Sequence, residues 1–127
     1  KEEMKMLWET QKIMGDQSIL VNATAVRVPV FYGHAEAIHL ETRSPIDAQQ
    51  VKELLANAPG VTVYEGNEQF PTQVGNASGN DIVHVGRIRN DITHPCGLNL
   101  WVVSDNIRKG AATNSIQIAE TLIRDYL

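Results

Sequence analysis

Residues 82–88, Ile82-Val83-His84-Val85-Gly86-Arg87-Ile88, and residues 98–103, Leu98-Asn99-Leu100-Trp101-Val102-Val103, decide how the chain is read. In the first run Ile82, His84 and Gly86 alternate with Val83, Val85 and Arg87, and the second run is more densely apolar. Side chains on a strand point alternately to opposite faces, so the two runs predict strands joined by a turn over residues 90–97. Working outward, residues 35–43 alternate Ile38 and Leu40 with Ala37, His39 and Glu41, which predicts a half-buried strand. Residues 61–64 predict a short strand, and residues 19–21 another. Met4, Leu7, Trp8 and Met14 recur at helical spacing in residues 2–14, closed by Gly15-Asp16. Ser44-Pro45-Ile46-Asp47 reads as an N-cap, a proline at the first helical position and an acidic first turn, with Val51, Leu54, Leu55 and Ala58 as the buried stripe. Residues 111–127 set Ile116, Ala119, Ile123 and Tyr126 along one face of a last helix. The order helix, strand, strand, helix, three strands, helix predicts an α+β fold: a mainly antiparallel sheet with helices layered on one face. Residues 65–80, rich in Gly, Asn and Pro, form an unusually long connection and read as a binding or subunit-contact arm.

At 127 residues the chain fits one domain with a real core, spanning residues 1–127. A net charge of -4 argues against nucleic acid as a partner, for which a basic face is expected. No apolar run approaches the roughly 20 residues of a membrane span, so no membrane role is expected. A single Cys excludes an internal disulfide and suits a reducing, cytoplasmic setting. The chain opens on Lys1 as though already inside a helix, and a piece of a longer protein is the expectation.

Arg27 and His34 flank the run Val28-Pro29-Val30-Phe31-Tyr32-Gly33. A guanidinium offers a planar fork that meets a carboxylate bidentately, and an imidazole exchanges its proton near neutrality. Gly33 permits the sharp turn that would aim His34 into a cleft. Glu2 and Lys5 are three apart, hence on one helical face. No nucleophile accompanies them. Cys96 sits in the turn His94-Pro95-Cys96-Gly97 and reads as incidental; two ligands do not make a zinc site, His39 and His84 lack ligand spacing, and no metal is expected. Arg87 and Arg89 form a basic patch better suited to a sheet edge or subunit contact. No Gly-rich dinucleotide fingerprint is present. The residues therefore read as one part of an active site whose attacking atom lies elsewhere.

Four groups of segments, Glu2-Glu3-Met4-Lys5 with Glu9-Thr10-Gln11-Lys12, Val26-Arg27-Val28-Pro29 with Gly33-His34, Val85-Gly86-Arg87, and Asp105-Asn106 with Lys109-Gly110-Ala111-Ala112, together resemble the C-terminal part of the bacterial aspartate-β-semialdehyde dehydrogenases. The resemblance spans nearly the whole chain. It implies a fold similar to the catalytic domain of glyceraldehyde-3-phosphate dehydrogenase, a homodimer built through this domain, and a separate N-terminal Rossmann domain absent from this chain. It implies NADP- and phosphate-dependent interconversion of L-aspartate 4-semialdehyde and L-aspartyl 4-phosphate, on the route to lysine, threonine and methionine. By the same resemblance Arg27 grips the substrate α-carboxylate, His34 is the acid/base, Glu2 contacts the substrate amino group and Lys5 the phosphate. Asn106, Gly110 and Ala111 fall where the family approaches the nicotinamide. The family's Asn-Cys-Thr-like nucleophile motif is missing, so the chain alone is expected to be inactive. An N-acetylglutamyl-phosphate reductase-like enzyme and a non-catalytic dimerisation or binding module that kept the scaffold are the alternatives.

Overall fold

The computed structural model describes residues 1–66 and 69–127. Two positions of the 65–80 connection, Asn67 and Glu68, lie outside the described residues. Strands β1 (His34–Glu41), β2 (Val61–Val63), β3 (Val83–Asn90) and β4 (Gly97–Ser104) form a four-stranded sheet in the order β1-β4-β3-β2. The two runs that open the sequence reading are the central pair. β4 is antiparallel to both β1 and β3, while β2 runs parallel to β3. The expected mainly antiparallel α+β fold is thus observed.

The parallel β2–β3 pair explains the long connection over residues 65–80. Parallel neighbours need a crossover rather than a tight turn, and among the described residues this crossover holds a π-type turn and no α-helix. It folds as a strap over one sheet face. Thr72 accepts through Oγ1 from Gly75 N–H at 3.0 Å and opens a π-type turn over Gln73–Ala77, in which Ser78 N–H reaches the Gln73 carbonyl at 2.9 Å. Trp101 Nε1 donates to the Pro71 carbonyl at 2.8 Å, and Asn76 Nδ2 donates to Tyr64 Oη at 3.1 Å. Gly86 lies beneath: a Cβ there would sit 2.8 Å from Pro71 Cδ, so only glycine lets the strap descend onto β3.

Helix α2 (Ala48–Ala56) covers the opposite face. Its cap is Asp47, not Ser44, and the helix begins three residues later than the sequence suggested. Asp47 accepts from Gln49 N–H at 2.9 Å, Gln50 Oε1 accepts from Asp47 N–H at 3.3 Å, and Asn90 at the end of β3 donates to the Asp47 carboxylate at 3.1 Å while accepting from Ala48 N–H at 2.7 Å. Helix start and strand end are therefore one hydrogen-bonded unit. Val51 and Leu55 pack with Val85, Ile88 and Leu98, but Leu54 is exposed, because the covered stripe runs through 48, 51 and 55.

Helix α1 (Glu2–Met14) ends at Gly15, whose φ of 65° and 3.3 Å bond to the Lys12 carbonyl make the anticipated left-handed stop. The strand expected at residues 19–21 does not form. Gln11 Nε2 instead donates to the Gln17 and Ile19 carbonyls at 3.2 and 2.9 Å, so a helix side chain takes the place of a strand partner. Met4, Trp8 and Met14 on α1 are exposed, as are Ile116, Ile123 and Tyr126 on α3 (Thr113–Tyr126). α3 starts after a π-type turn over Arg108–Ala112 rather than at 111.

Leu98 is 1% exposed and central to the cluster beneath α2. Leu98→Ala is expected to lower unfolding free energy by about 2–5 kcal/mol in urea titration; a loss under about 1 kcal/mol would place the core elsewhere.

Candidate functional site

Two groups of the anticipated residues come together. In the first, α1 lies along the extended segment after it. Glu3 Oε1 accepts from Ala25 N–H at 2.9 Å, and Arg27 Nη2 donates to Glu2 Oε1 at 2.6 Å. The two side chains remain 89% and 61% exposed, so the pair faces solvent. Lys5 lies nearly one turn along the same helix, 3.7 Å from Glu9.

The second group is set by the β1–β4 register, which puts His34 opposite Ser104 and so beside the chain that leaves β4. Gly33 N–H donates to Asn106 Oδ1 at 3.0 Å. Gly33 has φ 95°, and an added Cβ would meet Gln73 Cβ at 2.7 Å, so both its conformation and its space require glycine. His34 Nε2 lies 3.0 Å from Glu36 Oε1, two residues along the same face of β1. No hydrogen bond or ion pair joins the two groups among the described residues.

The loop carrying Asn106 is held from below. Asp105 is 3% exposed, and its carboxylate accepts from the backbone N–H of Arg108, Gly79 and Ile107, which lowers its pKa. Arg108 forks onto Asp81 with two bonds of 2.7 Å, and Thr113 Oγ1 donates to the same carboxylate at 2.7 Å. Arg108 and then Thr113 hold the Asp81 carboxyl down at about 2. Gly110 and Ala111 sit in the π-type turn, where Gly110 N–H reaches the Asp105 carbonyl at 3.1 Å. A Cβ at Gly110 would meet only ordinary contacts, Asn106 Cβ at 3.8 Å and the Asp105 carbonyl at 3.9 Å.

Sequence reasoning overlooked Glu36, Gln73, Asp81 and Asp105 as supporting residues. A signal for Asp105 exists in Asp105-Asn106-Ile107, an Asx-turn pattern, and one for Glu36 in its i+2 spacing from His34 on a strand; the partners of Gln73 and Asp81 are remote in sequence. Cys96 belongs to a turn: its N–H donates to His94 Nδ1 at 3.2 Å and its carbonyl accepts from Thr42. His39 pairs with Asp91 at 2.7 Å, and Asp91 is held at about 2 by the Thr93 N–H and hydroxyl and then by His39. His84 is buried on Tyr64 Oη at 3.2 Å, and burial lowers its pKa. Among the described residues no three His, Cys, Asp or Glu side chains are placed to hold a metal ion.

On the strap side of the sheet, Ala37, His39, Phe70, Arg87, Arg89 and Trp101 line an open groove of about 510 Å³. Its cationic wall arises at a β-bulge. Between Gly86 and Arg89 the register with β4 gains one residue, and Arg87 adopts φ 57°, which redirects its side chain.

These features define an α+β domain that offers exposed charged residues along its rim and an uncovered sheet groove. Residues 1–109 match the family described as semialdehyde dehydrogenase, dimerisation domain. The chain belongs to that family. It is 68% identical over 126 residues to the aspartate-semialdehyde dehydrogenase of Shewanella violacea, covering 99% of this chain and 37% of the relative. It is 66% identical to aspartate-semialdehyde dehydrogenase 2 of Vibrio cholerae, again covering 99% of this chain and 37% of the relative. A crystal structure of aspartate semialdehyde dehydrogenase II from Vibrio cholerae complexed with ASA superposes with a TM-score of 0.94 at 65% identity, covering 100% of this chain and 38% of that one. The chain thus spans little more than a third of the curated relatives it matches.

Because the Asp81 carboxyl is held below its usual 3.8, the stability it contributes is present above about pH 4 and is lost as pH falls toward about 2. Asp81→Asn is expected to lower the melting temperature at about pH 7, with the gap from the parent closing between about pH 4 and 2. A gap that persists undiminished at the acid end would contradict this role.

Proposed function

We propose that this chain is the substrate-binding and dimerisation part of an aspartate-semialdehyde dehydrogenase. The enzyme would interconvert L-aspartate 4-semialdehyde and L-aspartyl 4-phosphate with NADP and phosphate, in the biosynthesis of lysine, threonine and methionine. The observation that carries the reading is the Arg27–Glu2 contact of 2.6 Å. An α-amino acid presents a carboxylate and an ammonium a few ångströms apart, the charges opposite to Arg27 and Glu2. Binding it exchanges one exposed ion pair for two, and an exposed pair is worth only about 0–1 kcal/mol, so it is readily given up. The guanidinium fork then fixes the orientation of the carboxylate, and Glu2 holds the ammonium. Lys5 supplies a point charge for the phosphate.

His34 is the acid/base group, giving and taking the proton at the substrate's carbonyl oxygen and assisting a thiol supplied from outside these 127 residues. Glu36 at 3.0 Å holds its ring. The small Gly110 and the exposed Asn106 suit the approach of a nicotinamide carboxamide, with Ala111 beside them. NADP, when bound there, accepts or returns the hydride. The dinucleotide pocket itself belongs to an N-terminal Rossmann domain in the longer protein, and the setting is cytoplasmic. In the full-length enzyme, Arg27→Lys is expected to reduce kcat/KM for L-aspartate 4-semialdehyde by about tenfold or more, since a point cation does not reproduce the fork. Unchanged kinetics would remove the assigned role. Parallel assay with N-acetylglutamate semialdehyde separates the related reductase, which would prefer the acetylated aldehyde.

The homodimer is proposed to form across the strap side of the sheet. The family match covers the sheet and stops before α3, and one sheet face already lies under α2. That leaves the groove with Arg87, Arg89 and Trp101, while Glu41 lies at the end of the same face. A face carrying both signs of charge suits a two-fold contact. Arg89→Glu is expected to shift sedimentation of the full-length protein toward monomer; an unaltered monomer–dimer balance would move the interface elsewhere.

A further inference from the structure

We infer that Asn106 is a positioning residue for His34, acting through the Gly33 N–H. This rests on the reading of His34 as the acid/base group and adds a second duty to a side chain so far assigned only to the cofactor side. Gly33 N–H is a donor, so the atom that meets it at 3.0 Å must be the amide oxygen of Asn106. The orientation of the amide is thereby settled. Its Nδ2, which has no partner among the described residues, is left to donate on the exposed side.

The contact sits where it controls the imidazole. Gly33 immediately precedes His34, the first residue of β1, and it holds φ 95° with Gln73 blocking any Cβ at 2.7 Å. Such a glycine is free to take several backbone conformations, and sterics alone do not select one. Among the described residues the Asn106 oxygen is the side-chain acceptor for its N–H, so it fixes the Tyr32–Gly33 peptide plane and limits how the flexible glycine hands the chain on to His34. Asn106 is itself anchored through Asp105, which takes three backbone N–H groups, and through the Asp81–Arg108–Thr113 cluster beyond. The histidine therefore has two restraints: Glu36 on its ring at 3.0 Å and Asn106 on its backbone. One amide couples the nicotinamide side to the proton-transfer side, with its oxygen facing the histidine turn and its NH₂ free for a carbonyl ligand.

The test is a double-mutant cycle in the full-length enzyme, comparing the parent, Asn106→Ala, His34→Asn and the double variant for aldehyde oxidation with NADP and phosphate. Asn106→Ala is expected to lower kcat by about tenfold with KM for the aldehyde changed by less than about twofold, because the fault lies in aim and not in substrate binding. In the His34→Asn background the same change is expected to cost nothing further, since its effect passes through the imidazole. Asn106→Asp keeps an acceptor for Gly33 N–H and is expected to recover most of the lost kcat. Losses that multiply in the double variant, or an Asn106→Ala that raises only KM for NADP, would overturn the inference. If His34→Asn alone retains full kcat, the acid/base reading itself falls and the inference with it, an outcome distinct from multiplicative losses.

Discussion

The register of β1 on β4 is the constraint on which the rest depends. With His34 opposite Ser104 and Leu40 opposite Leu98, Leu40 meets the core under α2, and the first residue of the strand arrives beside Asp105 and Asn106. Side chains alternate along a strand, so a slip of one residue would turn Leu40 out of the core and carry His34 away from Asn106. Burial of Leu98 with the partly buried Leu100 and Val102 thus fixes the position of His34 without touching it. The same strand pairs with β3 on its other side, which makes β4 the one element that both the core and the His34 turn require.

Around that frame the charged residues divide by their surroundings. Asp81 and Asp105 are tied into backbone amides and a guanidinium fork, and their carboxyls are held low; they stabilise the loop entering α3. Glu2 and Arg27 pair with each other alone among the described residues, and both are largely exposed. Strong, multiply bonded charges build the scaffold, and the weakly held Glu2–Arg27 pair is the one proposed to open for a zwitterionic ligand. The exposed apolar faces of α1 and α3 sit on the two elements that make little contact with the sheet, consistent with a chain spanning about 37% of its relatives.

Much of this was legible in the sequence, where local periodicity decides the outcome. Alternation gave β1, β3 and β4 within two residues, helical spacing gave all three helices, and Gly15 marked the end of α1. What was not legible depends on partners distant in the chain. Asp47 outcompetes Ser44 as the cap because Asn90, more than forty residues away, completes its hydrogen bonds. Residues 19–21 have β-branched, apolar character but lose their strand to Gln11. The length of the 65–80 connection was evident and its cause was not, since parallel pairing of β2 with β3 is invisible in either strand alone. At the site, Arg27 with Glu2 and His34 near Asn106 were each anticipated as residues. Their pairing, and the supporting Gln73 and Asp81, required the fold.

The most direct measurement is a crystal structure of the full-length protein with L-aspartate 4-semialdehyde bound. The Arg27 guanidinium is expected within about 3 Å of both α-carboxylate oxygens, with Glu2 on the ammonium and His34 within hydrogen-bond reach of the aldehyde oxygen. A substrate carboxylate held by other residues, with Arg27 still closed on Glu2, would contradict the assignment of this domain as the carboxylate-binding half of the active site.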